Sequence, residues 1–251
     1  MNTNSLGVLG LACLVLAPGD ASPRSGPAHV GVFEELSLHI EVDLPSSDFR
    51  WPGHALPLAA ISGLAAEFVL ELRTDEKLAS LRLLRGTREI LALASAPESR
   101  LGIHELSLEA EGGTLAQLLE AYPSGDYEVE ARTLAGDLLR GTARLGAEFP
   151  GLFRVLSPGA GEVLPPGDVV LTWSPARSAA CYVLEVEQEE SGFSLELRME
   201  AGQRRCVIPA PILRAGETYD YSLTVQGDND NELEIEGRFV APRAGRAVPS
   251  R

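Results

Sequence analysis

The run Leu213-Arg214-Ala215-Gly216-Glu217-Thr218-Tyr219, followed at once by Asp220-Tyr221-Ser222-Leu223-Thr224-Val225, constrains this chain more than any other segment. Gly216 supplies the permissive backbone that a tight turn needs, and the turn closes onto a tyrosine that opens a strand with apolar residues at every second position. This pattern predicts a tyrosine corner, in which the phenol bonds back to backbone a few residues upstream, and therefore a β-sandwich.

Further strands appear in order around the corner. Val169, Leu171 and Trp173 alternate with Asp168, Val170 and Thr172 and stop at Ser174-Pro175, as a half-buried strand ending in a loop should. Tyr182, Leu184 and Val186 form a second alternating set, and Phe193, Leu195 and Leu197 a third. Leu233, Ile235, Gly237 and Phe239 follow an Asp/Asn-rich turn at Gly227 to Asn231. With Ser157-Pro158-Gly159 and Val163-Leu164-Pro165-Pro166-Gly167 at its start, the segment 152–242 resembles a fibronectin type III domain. The residues that carry the resemblance are Trp173 before Ser-Pro, Tyr182 opening its strand, and the corner residues Leu213, Gly216 and Tyr219. The resemblance implies an immunoglobulin-like sandwich in which these five have structural roles. Ala215 stands where a proline usually precedes the glycine, a change that only loosens the turn.

The region 30–149 reads as a second, separate sandwich. Phe33 to Val42 alternates strongly, and the segments 68–72, 79–84, 89–93 and 104–108 are further strands between polar or glycine-containing breaks. Thr114 to Tyr122 has apolar residues at helical spacing, Thr114 as N-cap and Pro123 as stop, so one short helix is expected. Tyr127, Val129 and Ala131 then alternate, and Leu138 to Leu145 returns as their hairpin partner. The portion from Tyr122 to Ala143 resembles a hairpin of exported bacterial proteins, where it leads into a type III-like domain. The expected fold is all-β: two consecutive sandwiches, the first with one helix, joined by a short linker that limits their relative angles.

The apolar run from Leu6 to Ala17, with Gly19 and Ala21 as small residues beyond it, predicts a signal peptide over residues 1–21 and hence a secreted or cell-envelope location. Met1 to Ser5 contains no Lys or Arg, which departs from the usual leader. The apolar run is too short to span a bilayer comfortably, and no other transmembrane segment follows. Residues 243–251, with Arg243, Arg246 and Arg251, read as a disordered tail. A formal net charge of −15 argues against nucleic acid and against anionic lipid, both of which need clustered cations. Beyond the leader, Cys181 and Cys206 are the two cysteines; strand parity turns Cys181 outward and Cys206 inward, which disfavours a bridge.

Nothing in the sequence assembles a catalytic motif, and no cofactor is implied. The four histidines His29, His39, His54 and His104 lie in separate segments. Asp228-Asn229-Asp230-Asn231-Glu232 is foremost a solvated hairpin turn, with Asp228, Asp230 and Glu232 as a weaker calcium candidate because clustered hard oxygens suit that ion. Glu185, Glu187, Glu189, Glu190, Glu196 and Glu200 should project outward and keep the sheet from pairing edge to edge. Trp51, beside Phe49, is a weak candidate for gripping a sugar ring or a protein surface. The expected function is an exported, non-catalytic binding, adhesion or spacer module whose partner is a protein or cell-surface component. A carbohydrate-binding accessory protein and a hydrolase with an unrecognised site are the alternatives.

Overall fold

Period-two burial builds both halves of the molecule. The structure, a computed structural model, describes residues 30–31, 33–45, 61–95, 102–159 and 161–242. The leader with Cys13, the residues His29, Phe49, Trp51 and His54, and the tail from Arg243 lie outside the described residues.

The first sandwich contains β1 (Val30–Gly31), β2 (Glu35–Leu44), β3 (Ala65–Arg85), β4 (Arg88–Ala94), β5 (Ile103–Thr114), helix α1 (Leu115–Ala121), β6 (Gly125–Thr133) and β7 (Leu138–Leu145). In β2 the side chains of Leu38, Ile40, Val42 and Leu44 are all buried, and His39, Glu41 and Asp43 occupy the opposite face. The first half of β3 pairs with β2 and β5, and its second half pairs with β4 and β6. The register breaks between Arg73 and Leu78, where the chain turns from one layer into the other. The segments 68–72 and 79–84 are therefore one strand. The exposed Asp75, Glu76 and Lys77 between them mimic a loop in sequence because a strand crossing between layers leaves its middle in solvent.

α1 has the expected start: Thr114 Oγ1 accepts from the Gln117 N–H at 3.3 Å, and the Gln117 side chain accepts from the Thr114 N–H at 3.0 Å. Leu115 and Leu118 drive the helix against the core. Tyr127 Oη donates to the Pro123 carbonyl at 2.8 Å, so the first sandwich has a tyrosine tied back across its own turn.

The second sandwich contains β8 (Val155–Ser157), β9 (Glu162–Val163), β10 (Val169–Trp173), β11 (Ala179–Gln188), β12 (Phe193–Glu200), β13 (Arg205–Ile208), β14 (Thr218–Gly227) and β15 (Glu232–Val240). One layer has the order β13-β10-β8, and the other runs β12-β11-β14-β15. Three strands facing four in this order form a fibronectin type III-like sandwich. Trp173, 2% exposed, packs between the layers with its ring 5.5 Å from that of Tyr182. Tyr182 Oη accepts from the Ala176 N–H at 2.9 Å.

The corner sits where the sequence places it. Gly216 has φ +81°, a left-handed conformation that a side chain would strain. Tyr219 Oη accepts from the Arg214 N–H at 2.8 Å, and the Tyr219 ring stacks on Phe239 at 5.6 Å. Leu213 is buried beside it. Tyr219→Phe keeps the ring but leaves a part-buried N–H without its acceptor. We expect a loss of about 1–3 kcal/mol in the second sandwich, read from its denaturant midpoint; an unchanged midpoint would mean that the bond contributes nothing.

Cys181 and Cys206 are free thiols, each 8% exposed. Burial of Cys181 corrects the outward assignment in part. The side chain does leave the core face that Tyr182 occupies, but it is covered there by Gln226, whose Oε1 it meets at 3.3 Å and which Arg198 also contacts.

Candidate functional site

The most unusual part of this chain is the seam between its two sandwiches. β15 is the last strand of the second sandwich, and its outer edge would ordinarily offer unpaired backbone groups to solvent. Here the first part of that edge pairs in parallel with β2, matching Glu232 to Glu41, Leu233 to Val42, Glu234 to Asp43 and Ile235 to Leu44. Farther along, the same edge receives β9, matching Phe239 to Glu162 and Val240 to Val163. Hydrogen-bonded strands thus run without interruption from β12 across the seam to β7 and β1.

Side-chain alternation gives the seam two unlike faces. Val42, Leu44, Leu233 and Ile235 point into the apolar interior and are buried. Burial of such side chains is worth roughly 1.5–3 kcal/mol each, relative to exposure, which favours closure. Glu41, Asp43, Glu232 and Glu234 occupy the other face in matched pairs. Like charges directly opposite one another oppose closure, by about 0.2–1 kcal/mol per exposed pair and by more where water is excluded.

A buried amide fixes the register. Asn231 is 0% exposed. Its Oδ1 accepts from the Ile40 N–H of β2 at 2.9 Å, and its Nδ2 donates to the carbonyls of Gly146 at 3.1 Å and Glu148 at 2.9 Å. Asn229 Nδ2 adds a second donor to the Glu148 carbonyl at 3.0 Å. The Asp/Asn-rich run is therefore a hairpin turn, closed by the Gly227 N–H on the Asn231 carbonyl, whose asparagines clamp the linker and the first sandwich together. Close approach explains Gly146 as well, since a Cβ there would overlap the Asn229 amide.

The carboxylates form a cavity of about 380 Å³ lined by Glu41, Asp43, Leu44, Glu67, Glu109, Glu234 and Glu236. Burial, a hydrogen bond to Glu234 and the like charges of Glu234, Glu232 and Asp43 push the Glu41 carboxyl up to about 9. Burial, then Glu71 and Glu234, raise Glu232 to about 7, with Arg198 acting the other way. Burial first, followed by neighbouring acids, also raises Asp43 and Glu67. Such a set can share protons or hold a hard cation. Among the described residues, Glu41, Asp43 and Glu234 are a group able to hold a metal ion, with ligand oxygens within 4.8 Å of one another. Asp228 and Asp230 lie exposed on the neighbouring turn, and Glu232 is half-buried at the seam; none of the three is in that group. A shallower groove of about 760 Å³ continues along β11, β14 and β15, past Glu185, Glu187, Asp220 and Arg238.

His39 lies on the same face of β2, 6% exposed, with its Nδ1 3.3 Å from Ser37 Oγ. Burial lowers its pKa, while Glu71 and Asp230 act in the opposite sense. A covered imidazole of this kind is closed to a substrate. The sequence points to Glu232 and Asn231 only as parts of an acidic turn and does not point to Glu41, Asp43 or Glu234, because an acidic residue on the outer face of one strand looks solvated until the strand that covers it is known. The Asn that follows the turn directly, before an alternating strand, is the one local hint.

No family model matches the chain, and no curated protein matches it either. Among solved structures, the fibronectin(III)-like modules of Clostridium thermocellum CbhA are similar at 8% identity and TM-score 0.33, over 84% of this chain and 94% of that one. A two-domain fibronectin type III segment of chicken tenascin gives 12% identity and TM-score 0.29, over 68% of this chain and 90% of that one. The 47-kilodalton lipoprotein of Treponema pallidum gives 11% identity and TM-score 0.42, over 88% of this chain and 53% of that one. All three scores are low, and the type III-like character of the second sandwich rests on its own strand order.

Proposed function

We propose that this chain is an exported, non-catalytic module that acts at the cell envelope as a binding or spacer element of fixed geometry. The observation that carries the reading is the continuous pairing of β15 with β2, reinforced by Asn231, which turns two sandwiches into one body. Two domains joined only by a short linker default to relative motion. A shared sheet removes that freedom, so loops at both sandwich ends are presented at a set spacing to a protein or cell-surface component. Export is supported by the apolar leader Leu6 to Ala17 with its small residues Gly19 and Ala21.

Chemical crosslinking of the exported full chain in envelope preparations tests the reading, with Asn231→Ala as the comparison. A module whose two sandwiches act together is expected to give a defined set of crosslinked partners that falls several-fold in the uncoupled variant. An identical set with Asn231→Ala would contradict the fixed-geometry reading, and a hydrolytic activity towards envelope material would contradict the non-catalytic one.

A further inference from the structure

We propose that the outer edge of β12 docks a second copy of this chain. The two β12 strands pair antiparallel about a two-fold axis at Leu197 and join two second sandwiches into one sheet. The inference goes beyond the fixed-geometry reading and does not depend on it, since β11 and β14 separate β12 from the seam strand β15.

β12 ends its sheet: among the described residues only β11 pairs with it, over eight matched pairs without a register shift. Phe193–Glu200 holds no Pro, no Lys and no bulge, devices that commonly blunt an open edge. The edges of the facing layer, β13 and β8, are only four and three residues long. The direction of the β12 amides follows from the pairing. The Gly227 N–H bonds to the Asn231 carbonyl, so odd-numbered residues of β14 face β15 and Thr224 faces β11. Thr224 is matched to Val183, and alternation then turns Leu184 towards β12 and its partner Leu197 back towards β11. The backbone groups of Ser194, Glu196, Arg198 and Glu200 therefore point out of the sheet edge.

Charge selects the occupant and the register. Outward-pointing residues must meet outward-pointing residues, so only alternate registers are open to an incoming strand. An axis at Leu197 sets Glu196 of each copy against Arg198 of the other, and Ser194 against Glu200. An axis at Glu196 would set that carboxylate against itself, and one at Arg198 would oppose two arginines and set Glu196 against Glu200. An axis at Leu195 would leave Arg198 opposite Gly192 and set Glu200 against Glu190. The outward acids thus exclude the neighbouring registers and admit this one. The Leu197 register also brings a cation to where two acids lie directly opposite each other, Glu196 on β12 and Glu185 on β11. Arg198 exchanges its exposed bond to Gln226 Oε1 for a charge-assisted one to Glu196 of the second copy. On the underside Phe193, Leu195, Leu197 and Met199 are only half-buried, whereas Tyr182, Leu184 and Val186 of β11 are fully covered. Pairing sets Leu197 beside its own copy and Leu195 beside Met199, which removes this apolar surface from water. Gly192 and Gly202 meet at the strand ends, where the space around each is open.

Sedimentation velocity of the full chain tests the proposal in about 0.15 M salt, where the Debye length of about 8 Å screens much of the repulsion between copies. A reversible, concentration-dependent dimer is expected, because one strand pair is a small contact beside the roughly 1,600 Å² of a stable complex. Glu196→Arg and Arg198→Glu, both at exposed positions, should each weaken the dimer at least about tenfold by setting like charges opposite, and the two together should restore it. Leu197→Cys should oxidise to a covalent dimer, since a non-hydrogen-bonded pair at the axis brings its Cα atoms to about 4.5 Å. Ser194→Cys, matched to Glu200, should not. Cys181 and Cys206 are buried in both variants and in the parent. A parent that stays monomeric at about 1 mM would overturn the proposal. A dimer indifferent to both charge reversals would place the contact elsewhere and overturn it as well, as would a double exchange that keeps the parent circular dichroism without restoring the dimer. Covalent dimers from Ser194→Cys as readily as from Leu197→Cys would contradict the register. A monomer whose Glu196 and Arg198 amides exchange slowly would overturn the proposal and give the edge to another segment of the same chain.

Discussion

Trp173→Ala is expected to lower the stability of the second sandwich by about 3–5 kcal/mol, the range for truncating a large aromatic in a packed core. Trp173 ends β10, and its indole fills the space between the two layers against Tyr182, which in turn meets Phe153 edge-on at 6.0 Å. The indole Nε1 is buried without a hydrogen-bond partner among the described residues. The loss should therefore come from packing and cavity formation, with no hydrogen bond surrendered. Trp173→Phe should accordingly recover most of it, because the ring volume matters and the N–H contributes nothing favourable. Denaturant titration followed by far-ultraviolet circular dichroism checks both, and a shift of less than about 1 kcal/mol in the Ala variant would mean that the layers close without the indole.

Asn231→Ala should cost a comparable amount through a different route. The substitution strips the Ile40 N–H of its acceptor and the Gly146 carbonyl of its donor, and it leaves the Glu148 carbonyl with Asn229 alone. Buried groups left unsatisfied cost about 1–3 kcal/mol each, so about 2–6 kcal/mol is expected for the two. The loss should fall on coupling between the sandwiches, because none of the three bonds lies inside either core. Calorimetry of the parent chain is expected to show one cooperative transition and that of the variant two. Asn231→Asp should be at least as damaging, since a carboxylate cannot donate to two carbonyls and adds charge beside Glu41 and Glu232. A single unchanged transition in both variants would show that the amide does not couple the two halves.

Local order in this chain is legible in the sequence to the extent that one strand carries its own evidence. Alternation in Val169 to Trp173 and Tyr182 to Val186, the turn at Gly216 and the cap at Thr114 each depend on neighbours a few residues away. The structure shows each of them as a strand, corner or helix start. The two segments of β3 were separable in sequence only because Asp75 to Lys77 is solvated, and a bend between layers has the same polarity as a loop. The seam was invisible for a stronger reason. Pairing Glu41 with Glu232 joins residues almost two hundred positions apart, and edge-to-edge pairing adds no apolar pattern beyond what each sandwich already needs. Outward glutamates on β15 and β2 signal protected edges in isolation. Here the edges are paired in spite of the charges, and that conflict between local rule and observed contact marks the seam as a candidate site.

The most direct test of the continuous sheet is residue-resolved amide hydrogen exchange along β2 in the full chain at mildly acidic pH. Backbone N–H groups in a strand alternate between its two edges, and the Ile40 N–H points to Asn231, so those of Val42 and Leu44 point to β15, and those of Glu41 and Asp43 to β3. The account predicts slow exchange at all four from Glu41 to Leu44, with no alternation. Fast exchange at Val42 and Leu44 beside a slow Glu41 would show that β2 is a free edge and that the two sandwiches are not one sheet.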